Sequence, residues 1–345
     1  MAQLHVLNAG LEPGLRFAML ISPSGNIRDL RWADVMSWKP EDGVLWVHLE
    51  RNDPTAQKWL TDSSGIDPLV TQALTTQESR PRVEDVEDAL LVVLRGVNHK
   101  PEAHGSQPED DVELVPLSIW AEKSRLISLR DKEHSLEALH DLRILMLSGK
   151  GPRTVAALLA RIAEKVADHL GELTSLLEDE LSGLEDRISE GMMGADARKT
   201  VTELRRRVVL FRRYMSPQRD ALYRLRHDDA SWLDGRAKMR LREVNEKLNR
   251  HLDDLEEMRQ RATILHEELG AKVAELTNRN TFVMSIVSVI MLPVTFITGY
   301  FGMNTGGLPF NGETPHGTLL ATLLILGTGF VTVAGLVLFL RRSGK

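Results

Sequence analysis

Residues 282–301 read FVMSIVSVIMLPVTFITGYF and residues 318–340 read TLLATLLILGTGFVTVAGLVLFL, and neither run contains a charged side chain. Each is close to the ~20 residues that a helix needs to cross a hydrocarbon core of ~30 Å. The stretch between them, Gly302-Met303-Asn304-Thr305-Gly306-Gly307-Leu308-Pro309 and on to Gly317, is short and polar. Two spans joined by a short turn predict a membrane hairpin. The preceding ~280 residues then form a soluble region on one side of the bilayer.

The charge distribution orients the hairpin. Lys272 and Arg279 precede the first span, and Arg341, Arg342 and Lys345 follow the second. The connecting loop has no Lys or Arg and one acid, Glu313. The positive-inside rule therefore puts both termini in the cytoplasm, with the loop outside and the protein in the inner (plasma) membrane. The opening MAQLHVLNAG has no basic segment followed by an apolar run, so no secretory signal peptide is expected.

Composition narrows the function classes. The chain has 345 residues, a net charge of −6 and no cysteine. A nucleic-acid partner is not expected without a basic excess. The missing thiol excludes disulfides and cysteine-ligated zinc or iron–sulfur centres. Gly149-Lys150 lacks the upstream glycine of a phosphate-binding loop, and neither Gly-x-Ser-x-Gly nor His-Glu-x-x-His occurs. No enzyme activity, no nucleotide-driven pump and no resident cofactor are predicted. A membrane-anchored scaffold is the other class to weigh, and it leaves the polar features of the first span unexplained.

Residues 1–150 mix short apolar runs with helical signals, as an α/β layer does. Strand candidates are Arg16–Ser22, Val44–Leu49, Ala89–Val97, Asp111–Trp120 and Arg125–Arg130; Pro54–Leu60, Pro68–Leu74 and Ser135–Leu147 read as helices. After Gly149-Lys150-Gly151-Pro152 the periodicity becomes helical. Apolar residues step by three or four from Val155 to Ile188, Gly191-Met192-Met193-Gly194 interrupts, and a basic helix is predicted over Ala195–Ser216. The acidic second half of the first helix and the basic second helix suggest an antiparallel hairpin with complementary charge, or two solvated faces.

From Gly235 a further stripe, Leu241, Val244, Leu248, Leu252, Leu255 and onward to Leu276, meets no stop signal before the first span. One helix from about Arg236 to Phe301 is expected, about 100 Å long at 1.5 Å per residue. Its near-heptad spacing suggests packing against copies of itself. Within the span, Thr281, Met284, Ser288, Leu292, Thr295, Gly299 and Gly302 share one face, while Phe282, Ile286, Ile290, Val294 and Ile297 lie off it. That face, mostly Gly, Ser and Thr, suits either a pore lining or close helix packing.

Tyr300-Phe301-Gly302-Met303-Asn304, placed directly after a C-terminal span and followed by a second span and a basic tail, resembles the signature of the CorA superfamily of divalent-cation transporters. The resemblance covers the whole chain. It implies an α+β membrane protein assembled as a homopentameric funnel. Residues 1–150 would be a cytoplasmic α/β domain and 151–280 a helical hairpin and stalk. The pore helix would span 281–301, the outer loop 302–317, the second transmembrane helix 318–340 and the basic tail 341–345. Gly302, Met303 and Asn304 would recognise the ion at the outer mouth, with Asn304 repeated in a ring of amides that accept hydrogen bonds from a hydrated cation. Gly302 would permit the turn that carries Met303 and Asn304 to the axis. Thr281, Met284, Ser288, Leu292, Thr295 and Gly299 would line the path, with Met284 and Leu292 as apolar constrictions.

The loop Thr305-Gly306-Gly307-Leu308-Pro309 and the run Arg80-Pro81-Arg82-Val83-Glu84-Asp85 look like the zinc-transporting ZntB branch. Transport of Zn²⁺ is the expectation, with a CorA-type Mg²⁺/Co²⁺ channel as the alternative. No His, Asp, Glu, Lys or Arg lies between Asn280 and Gly312, so the path has no direct zinc ligands and no proton relay. Glu313 and His316 in the loop are candidates for attracting cations. His251 with Asp254, His48 with Glu50, and His227-Asp228-Asp229 are weak metal candidates, each more simply an ordinary surface or core residue.

Overall fold

A computed structural model describes residues 12–76, 80–98, 113–191, 195–303 and 316–343. The chain divides into two compact units, Met1–His266 and Glu267–Lys345.

The first unit is built on a seven-stranded sheet in the order β2-β1-β3-β7-β6-β5-β4. The strands are β1 Leu15–Ile21, β2 Ile27–Leu30, β3 Val44–Glu50, β4 Arg82–Val86, β5 Ala89–Val97, β6 Leu114–Ala121 and β7 Arg125–Arg130. Only β3 and β7 run parallel; the other neighbours are antiparallel. Strand alternation divides the core. Leu45, Val47 and Leu49 of β3 face short helices α1 Trp32–Ser37, α2 Pro54–Asp62 and α3 Pro68–Thr75, meeting Trp59, Leu60 and Leu74. Asp53 and Asp67 cap α2 and α3 through their side chains, each just before a proline that suits a first turn.

The opposite sheet face receives α4 Glu137–Leu147, α5 Val155–Ser189 and α6 Ala195–His227. Gly96 of β5 marks how closely they approach: a Cβ there would stand 2.7 Å from Leu136 and 3.8 Å from Val166. α5 and α6 form the expected hairpin, with Glu180 paired to Arg207. α6 does not stop at Ser216 but runs through Pro217 to His227. Tertiary contacts hold the helix there. Gln218 is buried with its Oε1 accepting from the Arg95 backbone N–H at 2.6 Å, and Leu222 and Leu225 are buried one and two turns on. The short elements β2, α1 and β4, of four to six residues each, are too brief to show a periodicity in the sequence.

α7 is one helix from Gly235 to Phe301, as its uninterrupted periodicity predicts. The stripe assigned to copies of the chain is used otherwise. Leu241, Val244, Leu248, Leu255, Met258 and Leu265 are all buried within the single chain. Ion pairs flank this seam, joining Arg240, Lys247 and Arg261 of α7 to Glu164, Asp168 and Glu185 of α5, and Arg212 of α6 to Glu256 of α7. The heptad seam therefore closes a three-helix packing of α5, α6 and α7. Beyond it, Leu276 is exposed, and the span is exposed except for a half-buried side. The second unit holds the end of α7 and α8, Gly317–Ser343.

Candidate functional site

Among the described residues, two helices are long and apolar enough to cross a membrane, α7 through its last turns and α8. Within their unit, α7 has two unlike faces. Ile286, Ile290, Pro293, Val294 and Ile297 are half-buried. Their side contacts α8, where a Cβ on Gly329 would lie 3.8 Å from Val294 Cγ2. Thr281, Met284, Ser288, Leu292, Thr295 and Gly299 all lie exposed on the other side, with Met284 and Leu292 each 70% accessible. At 100° per residue the two faces are centred about 175° apart. Among the described residues, the half-buried side of α7 meets α8, whereas the side with small and hydroxyl residues is exposed, as are the apolar Val283, Val287, Met291 and Phe296.

The hydroxyls on this helix are oriented by the helix itself. Thr281 Oγ1 donates to the Thr277 carbonyl, Ser285 Oγ to Thr281 and Ser288 Oγ to Met284, each at 2.9 Å. Thr298 Oγ1 donates to Val294 and Thr295 carbonyls at 3.0 Å. Once its proton is committed to an i−4 carbonyl, a hydroxyl offers only lone pairs outward. The face is therefore neutral and oxygen-accepting at Thr281 and Ser288, and apolar at Met284 and Leu292.

The helix ends at Phe301, and the Gly302 N–H donates to the Thr298 carbonyl at 2.9 Å. Gly302 does not adopt a left-handed conformation. A Cβ at Gly302 would press on the Thr298 carbonyl at 3.1 Å. Met303 follows, exposed, while Asn304, Thr305–Pro309 and Glu313 lie outside the described residues. His316 is exposed, with φ 67°, and its carbonyl accepts from Leu320 N at 3.1 Å to begin α8.

The weak metal candidates resolve into structural roles. His251 Nδ1 lies 3.7 Å from Asp254 Oδ2, and its ring packs over Gly171 of α5. Burial lowers its pKa despite the Asp254 charge. No set of three or more potential ligands surrounds a common point among the described residues. His48 is buried, with Nδ1 at 2.9 Å from Ser128 Oγ and 3.2 Å from the Ser128 carbonyl, and burial holds its pKa well below 6.5. Glu50 pairs with Arg16, and His227 Nδ1 donates to the Tyr223 carbonyl. Sequence reading missed the polar contact between α4 and α5, where His169 lies 3.1–3.5 Å from Glu172, Glu137 and Asp141. Its members come from separate helices, so no local spacing announces it.

A family profile described as "CorA-like Mg2+ transporter protein" matches residues 41–342. The chain is 34% identical over 327 residues to a "Divalent cation transporter CmaX" of Pseudomonas aeruginosa, covering 94% of this chain and 96% of that one. It is 30% identical over 331 residues to a "Zinc transport protein ZntB" of Pectobacterium carotovorum, covering 96% and 95%. Among solved structures, full-length CmaX superposes with a TM-score of 0.80 at 33% identity, over 97% of this chain and 99% of that one. The CorA magnesium transporter of Methanocaldococcus jannaschii shares the fold, with a TM-score of 0.76 at 20% identity over 94% and 98%.

Proposed function

The chain belongs to the CorA-like Mg²⁺ transporter family, which makes it a divalent-cation transporter rather than an enzyme, and from that premise we propose that its ion is Zn²⁺. The path runs along the axis of a homopentamer in the inner membrane, with both termini cytoplasmic. It is lined by the exposed face of α7.

The observation that carries this reading is the division of α7. The side with Ile286, Ile290, Val294 and Ile297 is half-buried toward α8, and the opposite side leaves Thr281, Met284, Ser288, Leu292, Thr295 and Gly299 exposed for a ring of identical helices. A single copy cannot surround an ion, whereas several α7 helices presenting neutral oxygens can. Gly302, Met303 and Asn304 form the outer mouth, and Asn304 amides hold a cation through its first water shell. A divalent ion that sheds water reluctantly can cross such a path without direct ligands. Met284 and Leu292 supply apolar rings that close the path by excluding water. Glu313 and His316 concentrate cations at the mouth. The absence of nucleotide motifs from the sequence leaves the membrane potential or an ion gradient as the driving force.

The zinc preference rests on the relative named as a zinc transport protein and on the loop Thr305-Gly306-Gly307-Leu308-Pro309. The description of the family profile favours the second reading, a Mg²⁺/Co²⁺ channel. Purified full-length protein in liposomes separates the two. Zn²⁺ flux that Asn304→Ala abolishes is the expected result. Mg²⁺ flux with Zn²⁺ excluded moves the protein to the second reading, and no divalent flux under any gradient refutes both.

A further inference from the structure

The hairpin α5–α6 carries two outward stripes of opposite charge. On α5, Glu172, Asp179 and Asp186 recur every seven residues and Glu190 follows, all exposed. This stripe lies about 135° around the helix from the seam of Leu173, Leu177 and Leu184. On α6, Arg198, Arg205 and Arg212 also recur every seven residues and are exposed. Glu172 contacts His169 and Arg212 pairs with Glu256. Asp179, Asp186, Glu190, Arg198 and Arg205 form no ion pair among the described residues. An apolar residue sits within each stripe: Leu176 at 61% exposure and Val209 at 47%.

The register of the stripes is set by the pair Arg207–Glu180, which fixes which residues of the antiparallel helices stand at one level. Counted from it, Arg198, Arg205 and Arg212 are level with Ser189, Ser182 and Ser175. Each arginine thus falls between two successive acids of the α5 stripe. Leu176 and Val209 fall within two residues of one level, or about 3 Å of helix rise.

We propose that the acidic stripe of α5 docks on the basic stripe of α6 in a second copy of this chain, the arginines of one interleaving with the acids of the other. Copies related by rotation about an axis along the hairpin keep their levels, so the half-step offset seen within one chain becomes interdigitation between two. Such a contact is heterologous: each copy offers α5 to one neighbour and α6 to the other, and the contacts close into a ring. Leu176 and Val209 meet at its centre, which would cover both. The inference rests on the multimeric reading above and adds a named surface to it.

Because the chain has no cysteine, cross-linking gives a clean test. Full-length Gly183→Cys and Arg205→Cys chains, whose new thiols stand at nearly one level, are co-expressed, purified in detergent and oxidised. A linked dimer requiring both variants is expected, in several-fold excess over Gly183→Cys with Arg213→Cys, which is about 13 Å out of register. Its yield should fall between 0.05 and 0.5 M salt, as the Debye length shrinks from roughly 14 to 4 Å. A multimeric native mass without the linked dimer overturns the interface while leaving the transport reading intact. Equal linking of the misregistered pair also overturns it. Linking, with no divalent flux when the unoxidised protein is reconstituted in liposomes, sinks the transport reading and leaves the interface standing.

Discussion

Asp88 and Ser231, 143 positions apart, are joined twice: the Asp88 carboxylate accepts from Ser231 N at 2.8 Å and from Ser231 Oγ at 2.6 Å. The Asp88 carbonyl also accepts from Trp232 Nε1 at 2.7 Å. The tip of the β4–β5 hairpin, where Glu87 takes φ 57°, is thereby clamped to the loop between α6 and α7. This contact places the start of α7 against the sheet.

The two Ser231 hydrogen bonds lower the pKa of Asp88 below 3.8. A depressed carboxylate contributes stability that is present above its unfolded value and lost as pH falls through its folded value. Asp88→Ala should therefore lower the urea midpoint at pH 7. The gap from the parent should narrow as pH falls below 3.8, because the parent then loses the same contribution. A midpoint unchanged at pH 7 would show that the clamp carries no stability.

His48 contributes acid lability of a different kind. Burial, followed by the nearby Arg130 charge, holds it neutral below pH 6.5, so the unfolded chain binds the proton first. Its contribution is complete above 6.5 and declines as pH falls toward the folded value. Each pH unit between the two values is worth ~1.4 kcal/mol. His48→Asn keeps a polar group beside Ser128 and removes the titration. Its denaturation midpoint should vary less between pH 7 and 5 than the parent's. Parallel curves would assign the lability to another group.

The two faces of α7 should respond differently to the same substitution. Met284→Ser and Leu292→Ser place a hydroxyl on the exposed face, where an apolar ring would exclude water. Resting cation flux in liposomes should rise several-fold, with little change in detergent thermal stability. Ile290→Ser acts on the half-buried face toward α8, so it should lower stability without raising flux. Increased flux from Ile290→Ser alone would reverse the assignment of the faces.

Much of this was legible in the sequence because its largest signals are long. Two uncharged runs mark the spans, and the absence of any stop between Gly235 and Phe301 makes α7 continuous. Periodicity shows that a seam exists without saying what fills it. The Leu241–Leu265 stripe reads like a self-associating coil, yet α5 and α6 close it. β4 was missed because Arg82, Glu84 and Asp85 are polar and half-buried or exposed, and the end of α6 because a buried glutamine outweighs Pro217. The candidate path was legible as a face, since three- and four-residue spacing suffices for that. The back-bonded hydroxyls and the division of α7 between α8 and an open side required coordinates.

Gly171 and His251 give the sharpest test of how α7 packs on α5. A Cβ on Gly171 would stand 2.7 Å from His251 Nε2 and 2.9 Å from Cε1, closer than real Cβ contacts come. In a helix interior, Gly→Ala ordinarily stabilises by ~1 kcal/mol, and Gly270, with nothing within 4 Å of its would-be Cβ, should show that gain. Gly171→Ala should instead be neutral or destabilising, because the ring must move out of its pocket. Removing the ring by His251→Ala should restore the gain, so Gly171→Ala made in that background stabilises by ~1 kcal/mol. The double-mutant coupling, measured by urea denaturation, is expected at about 1 kcal/mol or more. Additive effects would mean that His251 does not rest on Gly171, and the closeness of α5 to α7 would need another cause.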